Sequence, residues 1–390
     1  MENRFDMAID RRGTSCIKYD CAVRRGKPAD VLPLWVADMD FMSPPAVLEA
    51  LSGRVSHGIF GYSEAYGHYF DALRDWYRDS FGWTPELKWL VKTPGVVFAI
   101  AMAVRAFTRE GDSVLLQQPV YYPFIGVVQD NGRHPVNSPL VYENGVYRVN
   151  LKDFEQKIID NNVKLFLLCS PHNPVGRVWT REELTAMGDI CLRHGVTVLA
   201  DEIHADFVWP GNSHTVFASL GDVYAQNSVV CTAPSKTFNL AGLQVSNIFI
   251  KNPDLRLKFR SEIDKTGYSQ LNVMGLVACE AAYAHGREWL EELKTYLLGN
   301  ISYVRRFLRE CLPQIKLVEP QGTYLLWLDF RDLGLTEVQR EELLLQKAGL
   351  WLDSGMMFGS DGEGFERINI ACPRKNLQMA MEKLESALRK

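Results

Sequence analysis

A single lysine, Lys236, stands among small polar residues in the stretch CTAPSKTFNLAG, directly after the apolar run NSVVC. A lysine in a turn is most often a solvated surface charge. An amine at the end of a buried strand can instead act as a nucleophile or a base, provided that other groups hold it there. Which interpretation applies to Lys236 depends on the polar residues that the fold brings to the same place.

Two more polar side chains follow apolar runs in the same way. Asp201 ends the run VTVLAD, and Asn173 lies in SPHNPVG just after LFLLC. Taken singly, the asparagine is explained by a turn, and the carboxylate is best explained as a solvated group at a strand tip. A buried Asp201 would need a cationic partner, because desolvating a lone carboxylate is costly. His204, in DEIHADF, is either a packed histidine or a ligand contact.

The stretch TPGVVFAI adds a candidate anion site, because Val96 and Val97 open an apolar helical pattern after a Pro-Gly pair. An ordinary turn before a core helix explains this pattern, but the free amides at a helix N-terminus also suit a phosphate. An anion cradle, an amide, a carboxylate and an amine together match pyridoxal phosphate. The lysine can form a Schiff base with it, and the carboxylate can keep its pyridine nitrogen protonated. No metal site is predicted.

The elements that must position these groups are short apolar strands alternating with helices. The strand-like runs are rich in Val, Ile, Leu and Phe, and they cover residues 113–118, 163–170, 196–202, 227–233 and 246–251. Unbroken apolar runs of this length are typical of strands that are buried on both faces of a parallel sheet. Residues 180–195 predict a helix, with Thr180 and Glu183 as its capping box and Gly195 at its end. Parallel strands bind ligands at their carboxyl ends, which is where the polar groups lie.

The length of 390 residues predicts more than one domain. We expect a large domain over residues 46–285 and a smaller α+β domain over residues 286–390, with residues 1–45 packing on the small domain and reaching the site. The small domain begins with a long amphipathic helical pattern that has a candidate break at Gly299. Strand, helix, strand and helix patterns follow it, in the order 323–330, 336–349, 365–372 and the C-terminal segment.

Composition excludes several classes of function. The net charge is −4, from 43 basic and 47 acidic residues, which argues against nucleic acid as a partner. The apolar run 96–104 is well short of the ~20 residues that a membrane span needs, and the charged N-terminal residues lack the apolar core of a signal peptide. The eight cysteines form no CxxC pair. These features predict a cytoplasmic protein with reduced thiols and no membrane partner.

Eight stretches of the chain resemble one known family. They are LPLWVADMDF, FGYSEAYG, PVYYPF, SPHNPVGRVW, DEIHADF, APSKTFNLAGLQ, GTYLLWLD and RINIACPR. In this order they are similar to fold-type I pyridoxal phosphate enzymes of the class I/II aminotransferase superfamily, and within it to the cystathionine β-lyase or C–S lyase branch, the MalY/PatB group. The resemblance covers essentially the whole chain. It implies an α/β fold with a mostly parallel, seven-stranded type of sheet between helices, plus the smaller α+β domain.

The resemblance also implies roles for individual residues. The catalytic residues would be Lys236, which binds the cofactor and moves protons, Asp201, which pairs with the pyridine nitrogen, and Tyr121, which stacks on the ring. The other implied cofactor contacts are Asn173 on the ring hydroxyl oxygen, the amides of Val96 and Val97, the hydroxyls of Ser235 and Thr232, His204, and Tyr62 of the neighbouring subunit. The contact from Tyr62 requires a homodimer.

For the substrate, the resemblance implies that Arg367, in RINIA, clamps the α-carboxylate. Trp35, Tyr62 and Tyr122 would line the pocket, although core packing explains Trp35 and Tyr122 equally well. The chain departs from the aminotransferase pattern at two positions. His204 replaces a tyrosine, and Gln244 replaces a phosphate-binding arginine, which makes the phosphate contacts the least defined part of the predicted site.

The resemblance therefore implies a lyase that removes a thiol from L-cystathionine or a related S-substituted cysteine, leaving pyruvate and ammonia. Two alternatives stay open at this point. One is an aminotransferase that acts on aromatic or bulky amino acids, since the same cofactor and lysine serve both reactions. The other is a regulatory protein that uses the scaffold to bind a protein partner, although a degenerate scaffold should have lost Lys236 or Asp201.

Overall fold

Two main sheets organise the part of the chain that the computed structural model describes, residues 3–389. In chain order its strands are β1 (Leu32–Pro33), β2 (Leu90–Thr93), β3 (Ser113–Leu116), β4 (His134–Asn137), β5 (Val141–Glu143), β6 (Val146–Arg148), β7 (Leu165–Cys169), β8 (Thr197–Asp201), β9 (Ser228–Thr232), β10 (Ser246–Phe249), β11 (Lys316–Val318), β12 (Leu325–Asp329), β13 (Leu350–Trp351), β14 (Asp353–Ser354) and β15 (Phe365–Asn369).

The α-helices of the same range alternate with these strands. They are α1 (Ile17–Asp20), α2 (Pro45–His57), α3 (Gly67–Phe81), α4 (Val96–Phe107), α5 (Pro123–Asp130), α6 (Leu151–Asp160), α7 (Arg181–Arg193), α8 (Asp222–Gln226), α9 (Pro234–Thr237), α10 (Pro253–Lys265), α11 (Val273–His285), α12 (Arg287–Cys311), α13 (Glu337–Glu342) and α14 (Arg374–Leu388). A π-helical turn, Leu343–Lys347, continues α13.

The larger sheet has seven strands in the order β2-β10-β9-β8-β7-β3-β4. All its pairs are parallel except those of β10, which is antiparallel to β2 and to β9. Successive residues of β7 enter two different apolar clusters, with Leu165 and Leu167 beside α4 and Phe166 and Leu168 beside α6 and α7. Helices therefore cover both faces of the sheet, which explains why its strands are unbroken apolar runs. The predicted mostly parallel α/β sheet is confirmed.

The carboxyl ends of the central strands meet at one edge of this sheet. Asp201, the last residue of β8, lies opposite Cys169 of β7 and Cys231 of β9 in the register. The chain leaves β7 toward Asn173 and leaves β9 toward Lys236. Because parallel strands place their connections at a common edge, residues far apart in sequence become neighbours here.

Helix α7 begins where the sequence predicts. Thr180 Oγ1 accepts a hydrogen bond from the Glu183 amide at 3.2 Å, and Glu183 Oε2 accepts one from the Thr180 amide at 2.9 Å. The helix ends at Arg193, before Gly195, whose φ of 65° is in the left-handed region. The capping box is therefore confirmed, and it fixes the start of the helix that packs behind β7 and β8.

The second sheet is antiparallel, in the order β11-β12-β15-β14, and α12 and α14 pack together beside it. The candidate break at Gly299 is wrong, because α12 is a single helix of 25 residues. A Cβ at this glycine would lie 2.6 Å from Arg374 Nη2. The glycine therefore allows α12 and α14 to pack closely and does not mark a kink. Neither α12 nor any other helix within residues 3–389 is long and apolar enough to cross a membrane.

The N-terminal residues run along the smaller sheet before they reach the larger one. β1 pairs in parallel with β13, and the Asn369 amide donates to the Leu34 carbonyl at 2.8 Å. Residues 35–41, which we call the strap, then cross to the carboxyl edge of the larger sheet. The predicted domain boundary between residues 285 and 286 falls between α11 and α12.

Candidate active site

A cavity of about 210 Å³ opens at the carboxyl edge of the larger sheet, under the strap. We call it the edge cavity. Most of the residues singled out from the sequence line it, namely Trp35, Val96, Val97, Tyr121, Tyr122, Asn173, Asp201, His204, Ser235, Lys236 and Arg367. Side chains and amides from five separate connections and from the strap thus meet in one place. This is expected, because parallel strands place the connections that follow them at the same edge of the sheet.

Lys236 follows β9 in the short helix α9 and directs its amine into this cavity. Its Nζ donates a hydrogen bond to the carbonyl oxygen of Ala37 in the strap, at 2.7 Å. Burial lowers the pKa of Lys236 to about 8; nearby Asp38 opposes this shift, and the guanidinium of Arg367 adds to it. An amine that loses its proton near neutral pH can serve as a nucleophile or as a base. The surface-charge interpretation of Lys236 is therefore wrong.

Asp201 lies below the same cavity and is only 3% exposed. Burial raises the pKa of its carboxyl to about 7, against the hydrogen bond that the Ile203 amide donates at 3.2 Å and the charge of Lys236. The interpretation of Asp201 as a solvated strand tip is wrong, because the connections after β7 and β9 cover the edge. A buried carboxylate of this kind is stable as an anion only beside a cation, and a protonated pyridine nitrogen would supply one.

His204 stands near Lys236 and is 3% exposed. Burial, reinforced by the charges of Lys236 and Arg367, lowers its pKa well below the usual value, so the imidazole is neutral. No group in the described part of the chain hydrogen-bonds to its buried Nδ1. Buried polar atoms in proteins nearly always have a hydrogen-bond partner. We therefore expect a polar atom of a ligand in the edge cavity to be the partner of this nitrogen.

Arg367, on β15, reaches the cavity from the smaller sheet. Its Nη1 donates to Asn173 Oδ1 and its Nη2 to the Trp35 carbonyl, both at 2.9 Å, and Asp353 forms an ion pair with Nη2. Its Nε is buried, and no acceptor within residues 3–389 takes it up. These three contacts hold the side chain rigidly and leave two of its five N–H donors, one on Nη1 and the one on Nε, without a partner among the described residues.

Asn173 and the two tyrosines complete the polar lining. Because Asn173 Oδ1 accepts from Arg367, its Nδ2 is the atom that can donate to a ligand oxygen. Burial raises the pKa of Tyr121 and that of Tyr122, so both hydroxyls keep their protons. Their rings lie 5.6 Å apart and form an aromatic wall of the cavity. Tyr122 also packs against Phe358, and Trp35 against Trp351, so both residues line the cavity and belong to the apolar packing around it.

Two of the predicted residues are not part of this lining. Thr232 is buried in the sheet, where its hydroxyl donates to the Asn247 carbonyl at 2.7 Å. The side chain of Tyr62 is 97% exposed and borders a neighbouring surface cavity. Gln244 lines both that cavity and the edge cavity, so the two adjoin. The implied contact of Thr232 with a phosphate would need a different hydroxyl geometry, and that of Tyr62 a second copy of the chain.

Sequence reasoning missed several groups at the site. Ala37 acts through its carbonyl, which also accepts from the Tyr324 hydroxyl at 3.1 Å, and no residue type signals a backbone contact. Asp353 is the ion-pair partner of Arg367. Asn369 donates to the carbonyls of Val36 and Asp38 on either side of Ala37. The only sequence signals for these contacts are that Ala37 lies in LPLWVADMDF, Tyr324 in GTYLLWLD and Asn369 in RINIACPR. Asp353 lies in none of the resembling stretches.

The chemistry of this set fits pyridoxal phosphate. Lys236 would hold its aldehyde carbon, Asp201 its pyridine nitrogen, and Asn173 or His204 its ring oxygen, beside the wall formed by Tyr121. The first amides of α4, at Val96 and Val97, have no partner within the helix by geometry and would face the phosphate, with the Ser235 hydroxyl nearby. The unmatched Nδ1 of His204 and the buried carboxylate of Asp201 are both accounted for by this one group.

Comparison with known proteins agrees with this assignment. The family model for aminotransferase class I and II matches residues 29–384. The chain is 44% identical to the cystathionine beta-lyase PatB of Bacillus subtilis, over 98% of this chain and 99% of that protein. It is 32% identical to the protein MalY of Escherichia coli, over 99% and 98% of the two chains.

A solved structure extends the likeness to three dimensions. Cystalysin from Treponema denticola, which contains pyridoxal 5'-phosphate, superposes with a TM-score of 0.96 at 38% identity, over 100% of this chain and 99% of that one. The family, the fold and the cofactor predicted from the sequence are therefore confirmed. The chain belongs to the aminotransferase class I and II family of pyridoxal phosphate-dependent enzymes, in the branch that contains PatB and MalY.

Proposed function

We propose that this protein is a carbon–sulfur β-lyase that cleaves L-cystathionine or a related S-substituted cysteine by α,β-elimination. With water, cystathionine gives homocysteine, pyruvate and ammonia. The observation that carries the proposal is the pairing, in one cavity, of the weakly basic amine of Lys236 with the anchored guanidinium of Arg367. The 44% identity to a cystathionine beta-lyase over nearly the whole chain supports this choice of reaction.

Each group has a task that follows from its position. When bound, pyridoxal phosphate supplies an electron sink for the charge that develops at Cα. Arg367, through the N–H donors that its protein contacts leave free, binds the substrate α-carboxylate and so fixes which Cα bond faces Lys236. Lys236, neutral once its proton is lost, takes the proton from Cα. Asp201 keeps the pyridine nitrogen protonated, since burial favours a carboxylate only beside a cation.

The fate of the substrate then depends on its Cβ substituent. A thiolate is a good leaving group, and the wall of Trp35, Tyr121 and Tyr122 surrounds the space beyond Arg367 with apolar surface that suits a thioether. Transamination is the competing outcome, because it uses the same amine and the same cofactor. It requires a keto acid to accept the amino group, which makes the two reactions separable.

The decisive experiment incubates the protein with pyridoxal phosphate and L-cystathionine in the absence of any keto acid. We expect pyruvate, followed with lactate dehydrogenase, and free thiol to appear in equal amounts. L-Methionine is the matched control substrate, because its sulfur is on Cγ and cannot leave from Cβ. Lys236→Ala should abolish turnover, and borohydride should attach the cofactor to the wild-type chain but not to this variant. Failure to release pyruvate, together with amino transfer to an added keto acid, would establish the aminotransferase instead.

The same proposal includes a homodimer with shared sites. Ile59, Phe60, Tyr62 and Tyr66 expose large apolar side chains within one short stretch, which single chains seldom do. Tyr62 borders the surface cavity that adjoins the edge cavity through Gln244. A partner chain that covers this surface would bring its own Tyr62 toward the phosphate end of the site.

We also propose the cytoplasm as the site of action. All eight cysteines lie within the described residues as free thiols, and six of them are buried. Cysteines without disulfides are typical of a reducing compartment.

A further inference from the structure

A second cavity, of about 630 Å³, lies on the far side of Trp35 from the edge cavity. We call it the outer cavity. Its walls come from the N-terminal residues before the strap and from the smaller sheet and its helices, including Arg25, Trp351 and Asp353. Trp35 lines both cavities, so the two adjoin at this side chain. None of the roles derived above uses the outer cavity.

Two arginines lie at opposite ends of Trp35. Its carbonyl accepts a hydrogen bond from Arg367 Nη2 at 2.9 Å. Its indole is stacked on Trp351 with ring centroids 4.3 Å apart, and Arg25 Cζ lies 4.8 Å from the Trp35 ring. One guanidinium therefore faces the edge cavity and the other the outer cavity, with a single residue between them.

Arg25 is also close to residues of both cavities. Burial raises the pKa of Tyr122, which lines the edge cavity, and the charge of Arg25 opposes that rise. Burial likewise raises the pKa of Asp353, which lines the outer cavity, and Arg25 is among the charges that oppose it. Its charge thus acts on residues of both cavities, although its side chain lines the outer cavity alone.

Among the charged side chains that the structure describes around the outer cavity, Arg25 is the one that has no ion-pair partner. Glu341 pairs with Lys27 at 2.5 Å, and Asp353 pairs with Arg367. Arg340 pairs with both Glu337 and Glu366. Burial raises the pKa of Glu366, and the contact with Arg340 at 2.7 Å opposes that rise, so this carboxyl is committed to Arg340.

We propose that Arg25 binds a carboxylate at the far end of the substrate's Cβ substituent, with the outer cavity holding the chain that leads to it. Arg367 would then bind the α-carboxylate, and Arg25 the far carboxylate, of an amino acid that carries a second acidic group. The enzyme would prefer such thioethers over those with a neutral alkyl or aryl substituent. This inference rests on the proposed function for the identity of the substrate, but not for the test of the site.

The test uses two amino acids that have no leaving group, so binding is measured without elimination. L-2-Aminosuberate has an eight-carbon chain with a carboxylate at the far end. L-2-Aminooctanoate has the same chain length and ends in a methyl group. Their dissociation constants from the pyridoxal phosphate-loaded protein are measured by isothermal titration calorimetry for the wild type, Arg25→Ala, Arg25→Lys and Arg24→Ala. Arg24 is the matched control, because it is the neighbouring arginine and does not line the outer cavity.

Because Arg25 is an exposed residue, we expect Arg25→Ala to weaken the binding of 2-aminosuberate by only roughly three- to fivefold. The same substitution should change the binding of 2-aminooctanoate less than twofold. Arg25→Lys should lie between the wild type and Arg25→Ala for 2-aminosuberate, because the charge is kept and the planar fork is lost. Arg24→Ala should bind both compounds as the wild type does.

Three results would overturn the proposal. Equal weakening of both compounds by Arg25→Ala would mean that Arg25 only supports Trp35. No weakening of either would mean that the far carboxylate does not reach it. If Arg24→Ala weakens the binding of 2-aminosuberate as much as Arg25→Ala does, the effect comes from the positive charge of this surface in general and not from a contact with Arg25. The two proposals can fail separately. If the protein releases no pyruvate but still distinguishes the two compounds through Arg25, the proposed reaction is wrong and the proposed role of Arg25 stands.

Discussion

At the scale of single residues, the site is set by a buried carboxyl group and a half-buried amine whose pKa values move toward each other. Burial raises the pKa of Asp201 to about 7 and lowers that of Lys236 to about 8. Both shifts reflect the cost of holding charge away from water. The ionised carboxylate of Asp201 therefore lowers the stability of the folded chain, and a cationic ligand beside it removes this destabilisation.

Asp201→Asn should stabilise the cofactor-free protein at pH 8 and leave its stability unchanged at pH 4. The carboxyl of the folded protein keeps its proton up to about pH 7, whereas the unfolded chain loses it near pH 4. Between these values the unfolded chain binds fewer protons, so the contribution of Asp201 to stability falls as the pH rises. The gain in free energy of unfolding on substitution should grow through this range toward an upper bound of about 4 kcal/mol.

Urea unfolding at several pH values measures this difference. Asp30→Asn, at an exposed position, is the control and should show no such trend. Pyridoxal phosphate should reverse the order of stability at pH 8, because its pyridinium pairs with the carboxylate and not with the amide. Parallel pH curves for the wild type and Asp201→Asn would show that the carboxylate is solvated after all.

At the scale of elements, the strap is the part that ties the two sheets to the site. Asn369 Nδ2 donates to the Val36 and Asp38 carbonyls at 2.5 and 2.6 Å. On the other side, Asn239 Nδ2 donates to the carbonyls of Met39 and Phe41 at 3.0 and 2.9 Å. The carbonyl that receives the amine of Lys236 is held between these two asparagines.

Asn369→Ala should therefore lower activity by more than its effect on stability explains. Loss of the two donated hydrogen bonds should reduce the free energy of unfolding by about 1–3 kcal/mol. Displacement of Ala37 should reduce kcat/KM about tenfold or more, because a small misplacement of a reacting group is costly. Steady-state pyruvate release and urea unfolding measure the two effects.

Thr180→Ala is the matched control for this element. It removes the cap of α7 and should cost about 1 kcal/mol of stability, far from the strap and without change in kcat/KM at a temperature where both variants are folded. If Asn369→Ala also keeps the wild-type kcat/KM, the strap does not position the amine.

How much of this arrangement the sequence predicts depends on the kind of contact. The meeting of Asn173, Asp201 and Lys236 is predictable, because each follows an apolar strand and parallel strands share an edge. Burial of Asp201 and Lys236 is not, since each residue alone is best explained as solvated. The grip of Asn369 on the strap and the position of Arg25 over Trp35 are also hidden, because they join distant residues through backbone oxygens and a ring face.

At the scale of the whole molecule, one surface is better explained by two chains than by one. The segment around Tyr62 is the most exposed apolar part of the described residues, and it adjoins the active-site cavity through Gln244. In the proposed dimer, Lys236 and Tyr62 of one active site come from different chains. Inactive chains with defects in the two different residues should then be able to complement each other.

A mixture of Lys236→Ala and Tyr62→Ala proteins should recover activity that neither has alone. After unfolding and refolding together in equal amounts, half of the dimers are mixed, and each mixed dimer has one intact site. The expected activity is about one quarter of the wild-type value. Pyruvate release measures it, and size-exclusion chromatography verifies the dimer.

Mixing without refolding is the control, because slow exchange of chains should leave the activity near zero. If the refolded mixture stays inactive while each variant remains dimeric, Tyr62 acts within its own chain or not at all. A wild-type protein that is fully active as a monomer would contradict the shared site directly.

The contacts of Arg367 have a consequence for how the enzyme is made. This side chain bonds to Trp35, which lies 332 residues earlier, and to Asn173, which lies 194 residues earlier. All strands of the larger sheet, and Lys236 itself, are translated before residue 367. Recognition of the substrate carboxylate by Arg367, and the hold of Asn369 on the strap beside Lys236, must therefore wait for residues near the end of the chain.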